Sequence, residues 1–318
     1  MRNTACLTAV ALLHTLGSSA TIMGAPPAAS FNKDLGLLRA FLGRGRIHCI
    51  TGAGVSTGSN IPDYRSPNGS YSRGHKPITH QDFIKYESSR KRYWLRSIVG
   101  WDSFRLAQPN QGHYALARLE SSGLVSGLIT QNVDRLHSKA GSLDVLEIHG
   151  RNDFCGCLNS ACGYRMPRNA VQVQLALLNK ALISRVHDPA LAHTSRRADG
   201  DTNIETDAAI LDEVKIVACP KCGAPIKPTV VFFGDNVLPE TRLACNAAVD
   251  ACDGLLVVGT SLEVYSVYQY ILQCNDRGVP VAIINRGQTR AEREGRAVAL
   301  KADQDCSTLL HALADELI

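Results

Sequence analysis

The chain has 318 residues, of which 45% are hydrophobic and 20% charged, with a net charge of +5. That supplies apolar material for a sizeable core and exceeds one ordinary domain, so a large domain with a smaller module is expected. The mild charge gives no reason to expect direct nucleic-acid binding, and no apolar run reaches the ~18 residues of a membrane span, so neither nucleic acid nor a bilayer is an expected partner.

Residues 1–33, MRNTACLTAVALLHTLGSSATIMGAPPAASFNK, contain no acid and are rich in Ala, Ser and Thr. This composition is that of a mitochondrial transit peptide, although Arg2 and Lys33 are its only basic groups. A secretory signal around LTAVALLHTL and an unprocessed tail are the rivals. The expected location is the mitochondrial matrix, with the cytoplasm as the alternative, and the remaining unit spans 34–318.

RIHCI (46–50) reads as a buried strand and runs into TGAGVSTGSNIPDYRSPNG (51–69). A glycine-rich turn after a strand holds phosphate, because glycine lets the backbone approach closely and leaves N–H groups for oxygen. The usual dinucleotide pattern then needs a strand ending in Asp or Glu about 20 residues on. YSRGHKPITH (71–80) is no such strand and carries no acid. The turn therefore predicts a nucleotide held in an unusual way, under a polar loop. Residues 60–108 form a polar, basic insertion that includes KYESSRKRYWLRSIVGW (85–101). Within it Tyr93 and Arg96 share one helical face, and a guanidinium with a phenol suits a carboxylate. The plainer reading is a solvated basic helix with Tyr93 and Trp94 packed inward.

HYALARLE (113–120) has a helical pattern, and LVSGLIT (124–130) a strand pattern. After that strand comes TQNVDRLH (130–137), which puts Gln131, Asn132 and Asp134 at a carboxyl end, where doubly wound sheets bind ligands. Amides and a carboxylate there suit a carboxamide and sugar hydroxyls. DVLEI (144–148) is the next strand, followed by His149, either a general base near neutral pH or a satisfied structural histidine.

Residues 151–227 form a second insertion with cysteines at both ends. Cys219-Pro220-Lys221-Cys222-Gly223 has the form of a metal knuckle, and its partner lies in FCGCLNSAC (154–162). Cys162 pairs there with Cys157, or with Cys155 as the alternative first ligand, predicting one structural zinc. The other cysteines are scattered, several within apolar segments such as those of Cys49 and Cys252, which favours a reducing compartment over a disulfide framework. TSRRADGDTNIETD (194–207) reads as a solvated loop. PTVVFF (228–233), GLLVVGT (254–260) and PVAIIN (280–285) are further strands, separated by helix patterns at PETRLACNAAVDAC and VYSVYQYILQCNDRG. Continuous apolar strands alternating with helices predict an α/β fold, a doubly wound parallel sheet, with a smaller zinc-binding and helical module. GTSLEV (259–264) and Asn285 close two strands with small and amide groups, so five strand ends converge on one ligand.

GAGVSTGSNIPDYR, TQNVDRLH, the strand-end IHG, the paired cysteines, KPTVVFFGD and GTSLEVYSV resemble the sirtuins, NAD-dependent protein deacylases, in the right order from about residue 34 to 306. IPDYRSPNGSYSR, KRYWLRSIVGW and VVFFGD are most similar to class II members, among which mitochondrial enzymes occur. The spacing of Cys157 and Cys162 departs from the family's usual two residues.

The resemblance implies NAD as co-substrate, an acylated protein as partner, and transfer of the acyl group of acyl-lysine to ADP-ribose with release of nicotinamide. It implies that Gly52, Ala53, Gly54 and Ser56 hold the phosphates, that Ile61, Asp63, Asn132 and Asp134 line the nicotinamide pocket, and that Val55 and Pro62 belong to the cofactor-binding set. Arg65 is implied near the phosphates and ribose and Thr260, Ser261 and Asn285 on the adenosine side, and Tyr64, Tyr71, Gln131, Val133, Gly259, Arg286, Gly287 and Cys306 complete the cofactor-binding set. Acyl-lysine is implied to add as a strand along Val231, Phe232, Phe233 and Gly234, with His149 removing a ribose proton. The Tyr93 and Arg96 pattern is similar to that of sirtuins that prefer acidic acyl groups. The alternatives are a protein mono-ADP-ribosyltransferase using the same site and a non-catalytic NAD-binding zinc scaffold.

Overall fold

The computed structural model describes residues 28–67, 69–186, 199 and 208–318. Most of the expected leader, and the 194–207 loop apart from Asp199, lie outside the described residues. The leader's last six residues are in a helix, Ala28–Leu42, because Phe31, Leu35, Leu38 and Leu42 recur at helical spacing and pack on the core.

Among the described residues the strands are β1 (Ile47–Thr51), β2 (Leu128–Thr130), β3 (Val145–Glu147), β4 (Gly150–Cys157), β5 (Arg165–Pro167), β6 (Ile226–Val230), β7 (Gly254–Val258), β8 (Val281–Ile284) and β9 (Leu300–Ala302). Six of them form a parallel sheet in the order β3-β2-β1-β7-β8-β9. Counted in chain order within that sheet, this is 3-2-1-4-5-6, the doubly wound dinucleotide-binding order. Its direction reverses between β1 and β7, and the crevice outside their carboxyl ends is where such sheets bind ligands.

Both faces are covered, which is why the strands are apolar throughout. Ile47, Cys49, Leu256 and Val258 face Leu38, Leu116, Leu119, Leu310 and Leu313, whereas Ile50, Leu255 and Val257 face Val249, Tyr268 and Ile271. Each fully buried Leu or Ile contributes about 1.5–3 kcal/mol. The helices Gln111–Ser121, Pro239–Asp250 and Tyr265–Asp276 stand where the sequence patterns put them, and Gly278 past the last of these has φ +68.

Two expectations change. The strand expected at 228–233 belongs not to the alternating core but to a separate antiparallel sheet, β5-β4-β6, in which Ile226 pairs with Cys157. The segment with the plainer reading of a solvated basic helix is a helix, Glu87–Arg105, with Tyr93 and Trp94 packed inward as that reading has it, but Leu95, Arg96, Ser97, Ile98, Gly100, Trp101 and Phe104 are buried as well. It is wedged against the small sheet.

Gly150, where β4 begins, has φ +74, and a Cβ there would lie 2.1 Å from the Thr229 carbonyl oxygen. Gly150→Ala combines left-handed strain with a backbone clash and is expected to cost about 2–4 kcal/mol. Urea unfolding of the variant checks this through a lower midpoint at unchanged slope.

Candidate active site and metal centre

At the switch point β1 runs into Gly52 and a 3-10 turn, Ala53–Ser59. The Gly52 N–H donates to the Val258 carbonyl at 3.1 Å and the Gly54 N–H to that of Gly259 at 2.8 Å. These two N–H groups are therefore used within the fold and are not left for phosphate. Glycine is needed because a Cβ at 52 would sit 2.6 Å from Thr260 Cβ, and one at 54 would sit 2.8 Å from the Gly259 carbonyl oxygen. The glycines let the ends of β1 and β7 touch. Cys306, opening the last helix, donates its thiol to the Gly54 carbonyl at 3.7 Å; burial pushes that thiol up to about 12 and keeps it neutral.

Below the turn lies a buried polar cluster. Ser56 Oγ donates to Asp134 Oδ2 at 2.7 Å, and Asn132 Nδ2 donates to Ser56 Oγ and to the Gly52 carbonyl, both at 3.1 Å. The Leu136 N–H holds Asp134 Oδ1 at 2.9 Å. Burial raises the Asp134 pKa, against the bonds from Leu136 and Ser56. Beneath it, Thr51 Oγ1 lies 2.8 Å from Thr130 Oγ1 and 2.9 Å from His137 Nε2, while His113 Nε2 lies 3.4 Å from Ser56 Oγ. His113 Nδ1 accepts the Asn110 N–H at 3.2 Å, so Nε2 carries its proton. Burial holds both histidines well below their usual range, and they are neutral donors under the acidic group. Gln131 Nε2 donates to Thr260 Oγ1 at 2.9 Å, tying the ends of β2 and β7 together.

His149, partly exposed, follows β3. Its Nδ1 lies 3.2 Å from the Gln131 carbonyl and its Nε2 lies 2.7 Å from Ser266 Oγ. A carbonyl only accepts, so Nδ1 bears the proton and Nε2 offers its lone pair to the Ser266 hydroxyl. Burial lowers the His149 pKa to about 4, partly offset by the bond to Gln131. The ring is a neutral base of known tautomer.

The His149 carbonyl accepts the Val231 N–H at 2.9 Å, which joins this residue to the Val231–Gly234 edge. Along that edge the Phe233 carbonyl already accepts the His80 N–H at 2.8 Å, and the Gly234 carbonyl accepts Gln81 Nε2 at 2.8 Å. An added strand has to use other backbone groups. Phe232 packs 5.3 Å, centroid to centroid, from Tyr93, and exposed Phe233 lies 6.2 Å from Tyr71, over which Arg65 sits at 5.2 Å. Tyr64 stacks on Tyr71 at 5.2 Å. Ile61 and Val133 are buried in one small apolar cluster with Trp101, and Asp63 accepts the Ser66 N–H at 3.0 Å. The structure thus gathers the glycine turn, Ser56, Gln131, Asn132, Asp134, His149 and Thr260. Asn285, Arg286 and Gly287 stand apart at the end of β8, bonded to one another and to Asp303 and Asp305. Ser261 faces Arg290, whose N–H its carbonyl accepts at 2.9 Å.

Cys157, Cys162, Cys219 and Cys222 bring their sulfurs within 4.8 Å of one another. Cys157 and Cys222 are 3.5 Å apart, and Cys162 and Cys219 3.7 Å. Tetrahedral zinc with Zn–S of about 2.3 Å requires sulfur separations near ~3.8 Å, so the cage fits that ion. The wide Cys157–Cys162 spacing is closed by a turn in which the Cys162 N–H donates to the Asn159 carbonyl at 2.9 Å. Cys155 is fully buried beside Met166 and stands outside the cage. Burial raises the Cys219 thiol, but N–H groups of Lys221 and Cys222 prevail and bring it down to about 7.

Sequence reasoning missed Ser266, His113, His137, Thr51 and Thr130. His137 and Ser266 lie inside the motifs TQNVDRLH and GTSLEVYSV, but their partners are 86 and 117 residues away.

The Sir2 family model matches residues 52–266. The chain is 43% identical over 286 residues to the NAD-dependent protein deacylase Sirt4 of Drosophila melanogaster, covering 89% of this chain and 87% of that one. It is 43% identical over 288 residues to the NAD-dependent protein deacylase SRT2 of Arabidopsis thaliana, covering 88% and 75%. A solved structure of a Sir2 enzyme aligns with a TM-score of 0.68 at 26% identity, covering 90% of this chain and 98% of that one. The chain belongs to the Sir2 family.

Proposed function

We propose that this chain is an NAD-dependent protein-lysine deacylase. The observation that carries the reading is His149, neutral, with Nδ1–H fixed by the carbonyl of Gln131, one residue along the chain from the Asn132 that bonds Ser56, and Nε2 accepting from the Ser266 hydroxyl. The relatives named as deacylases support it. NAD supplies a cleavable bond to nicotinamide and an ADP-ribose that can receive the acyl group.

In this reading Asn132, Asp134 and Ser56 orient the carboxamide, with Ile61, Pro62 and Asp63 covering it. The turn Gly52–Ser56 lies along the phosphates, with Arg65 beside them, and Thr260, Ser261, Asn285 and Gly287 take the adenosine side. The buried cluster suits a neutral amide because its donors and acceptors are already oriented and lie away from water. His149 takes up a proton at Nε2 once the Ser266 hydroxyl yields that position. Cys157, Cys162, Cys219 and Cys222 hold a structural zinc, which leaves no ligand position open for chemistry.

The same proposal divides 34–318 into the sheet with insertions at 60–108 and 151–227, and places the protein in the mitochondrial matrix, on the acid-free composition of residues 1–33.

Tyr93 and Arg96 are read as the groups that recognise a carboxylate on the acyl chain, supported by the ring contact of Tyr93 with Phe232. A charged hydrogen bond of about 1.5–3 kcal/mol favours glutaryl over acetyl by about 10 to 100-fold. The test follows nicotinamide release with acetyl- and glutaryl-lysine forms of one peptide, in the parent and in Arg96→Met. The variant is expected to lose efficiency on the glutaryl peptide alone. An acetyl preference in the parent contradicts the assignment, and mass gain of ADP-ribose on the peptide instead of acyl loss contradicts deacylation.

A further inference from the structure

Arg168 is completely buried, yet among the described residues no carboxylate pairs with it. Its guanidinium is held between two indoles, 5.2 Å from the Trp94 ring and 4.6 Å from that of Trp101. Nη2 donates to Ser97 Oγ at 3.0 Å and to the Ser97 carbonyl at 3.4 Å, while Nε and Nη1 have no partner. The clamp is rigid: Trp94, Ser97 and Trp101 lie on one face of the Glu87–Arg105 helix, and Trp101 Nε1 donates to Asn169 Oδ1 at 2.8 Å.

Three things oppose a cation here. Burial disfavours the charge and lowers its pKa, against weaker help from Cys155, Tyr93 and the mostly exposed Asp102. Arg168 is also the first residue of the helix Arg168–Leu178, whose first turn has no acidic residue, so it adds to the positive end of the helix dipole. Two N–H donors remain unsatisfied, where an apolar side chain would fill the same slot without that cost. Against these stand the two indole faces, which favour the charge, and an anion arriving nearby would add to them.

Ring contacts run without a break from the Val231–Gly234 edge to the guanidinium: Phe232 to Tyr93 at 5.3 Å, Tyr93 to Trp94 at 5.2 Å, Trp94 to Arg168 at 5.2 Å. Resting on the acyl-lysine reading above, we infer that Arg168 is a specificity-determining cation in the layer behind Tyr93 and Trp94, and that its charge favours the terminal carboxylate of a dicarboxylic acyl chain held at Tyr93 and Arg96. Arg168 acts through the field it adds to the Tyr93 and Arg96 layer, which in a water-poor interior reaches beyond direct contact.

The chain has two tryptophans, and both flank Arg168. Their fluorescence reports on this site without any turnover. One peptide is prepared with glutaryl-lysine and with pentanoyl-lysine, which has the same number of acyl carbons and no carboxylate. Binding to the parent, Arg168→Lys and Arg168→Gln is followed by tryptophan emission and checked against nicotinamide release. The parent is expected to bind the glutaryl peptide about 10-fold more tightly, with an emission change that the pentanoyl peptide does not produce. Arg168→Lys keeps most of that preference, and Arg168→Gln lowers it by about 3-fold, leaving the part carried by Tyr93 and Arg96, with pentanoyl affinity unchanged.

Equal weakening of both peptides in Arg168→Gln, or full preference retained, overturns the inference and leaves Arg168 as a packing clamp. If Arg168→Gln fails to fold, the parent's emission decides: identical responses to the two peptides overturn the role. Nicotinamide release with neither peptide in the parent overturns instead the deacylase reading.

Discussion

Replacing Cys219 and Cys222 together with serine is expected to remove one zinc per chain and to unfold the small sheet, rather than merely to slow turnover. Four thiols lie within 4.8 Å of one another, and without a cation their ionised forms repel. Two left-handed glycines, Gly163 at φ +62 and Gly223 at φ +75, are spent on turning the two ligand loops. Backbone bonds tie the loops locally, from the Cys219 N–H to the Ala224 carbonyl and from the Leu158 N–H to the Pro225 carbonyl, but Cys222 is exposed and β5 has only three residues. Structural zinc contributes ~10–16 kcal/mol of apparent binding energy, which exceeds any other single contribution to this sheet. The consequence reaches the candidate active site, because β4 starts next to His149 and β6 leads into the Val231–Gly234 edge. Metal analysis and hydrogen exchange on the double variant check this, with Cys155→Ser as the control that keeps its zinc. Full zinc in the double variant, or unchanged protection of β4 and β6 after its loss, would contradict the assignment.

The parts of the site legible in the sequence are those that follow a buried parallel strand. RIHCI, LVSGLIT, DVLEI, GLLVVGT and PVAIIN are apolar because both faces are covered, so the polar residues after them mark the carboxyl edge of the sheet. PTVVFF has the same apolar character and joins a different sheet, since composition says nothing about which strand it pairs with. β9, Leu300–Ala302, is too short to stand out in the sequence, and gains its place by pairing with β8 and packing Ala302 and Leu300 on the core. Glycine is needed at 52 and 54 for close approach to Gly259 and Thr260, which cannot be seen in a one-dimensional pattern. Arg168 and Ser266 are ordinary residues locally. What sets them apart is a partner, or the lack of one, brought about by folding.

His149→Tyr is expected to keep the fold and to lose about 100 to 10,000-fold in turnover, the usual effect of removing a general base. The fold is kept because the bond that joins this residue to the Val231–Gly234 edge runs from the Val231 N–H to the backbone carbonyl of 149, which any side chain retains. The activity is lost because a phenol has no lone pair of comparable basicity where Nε2 stands, and the larger ring crowds the space beside Ser266. The pH profile tests the same assignment from another side. His149 has its pKa lowered to about 4, so the ring is already neutral throughout the physiological range and loses its capacity to accept a proton only as pH falls through about 4. The acid limb of kcat/KM, which reports the free enzyme, is therefore expected near that value, leaving the profile flat from about pH 6 to 8 as far as this group is concerned. Calorimetry should find NAD binding to the variant within a few-fold of the parent. Near-normal turnover by the folded variant, or an acid limb centred at the ordinary histidine value of about 6.5, would remove His149 from the proton-accepting role and leave Ser266 and Gln131 as the partners of a structural ring.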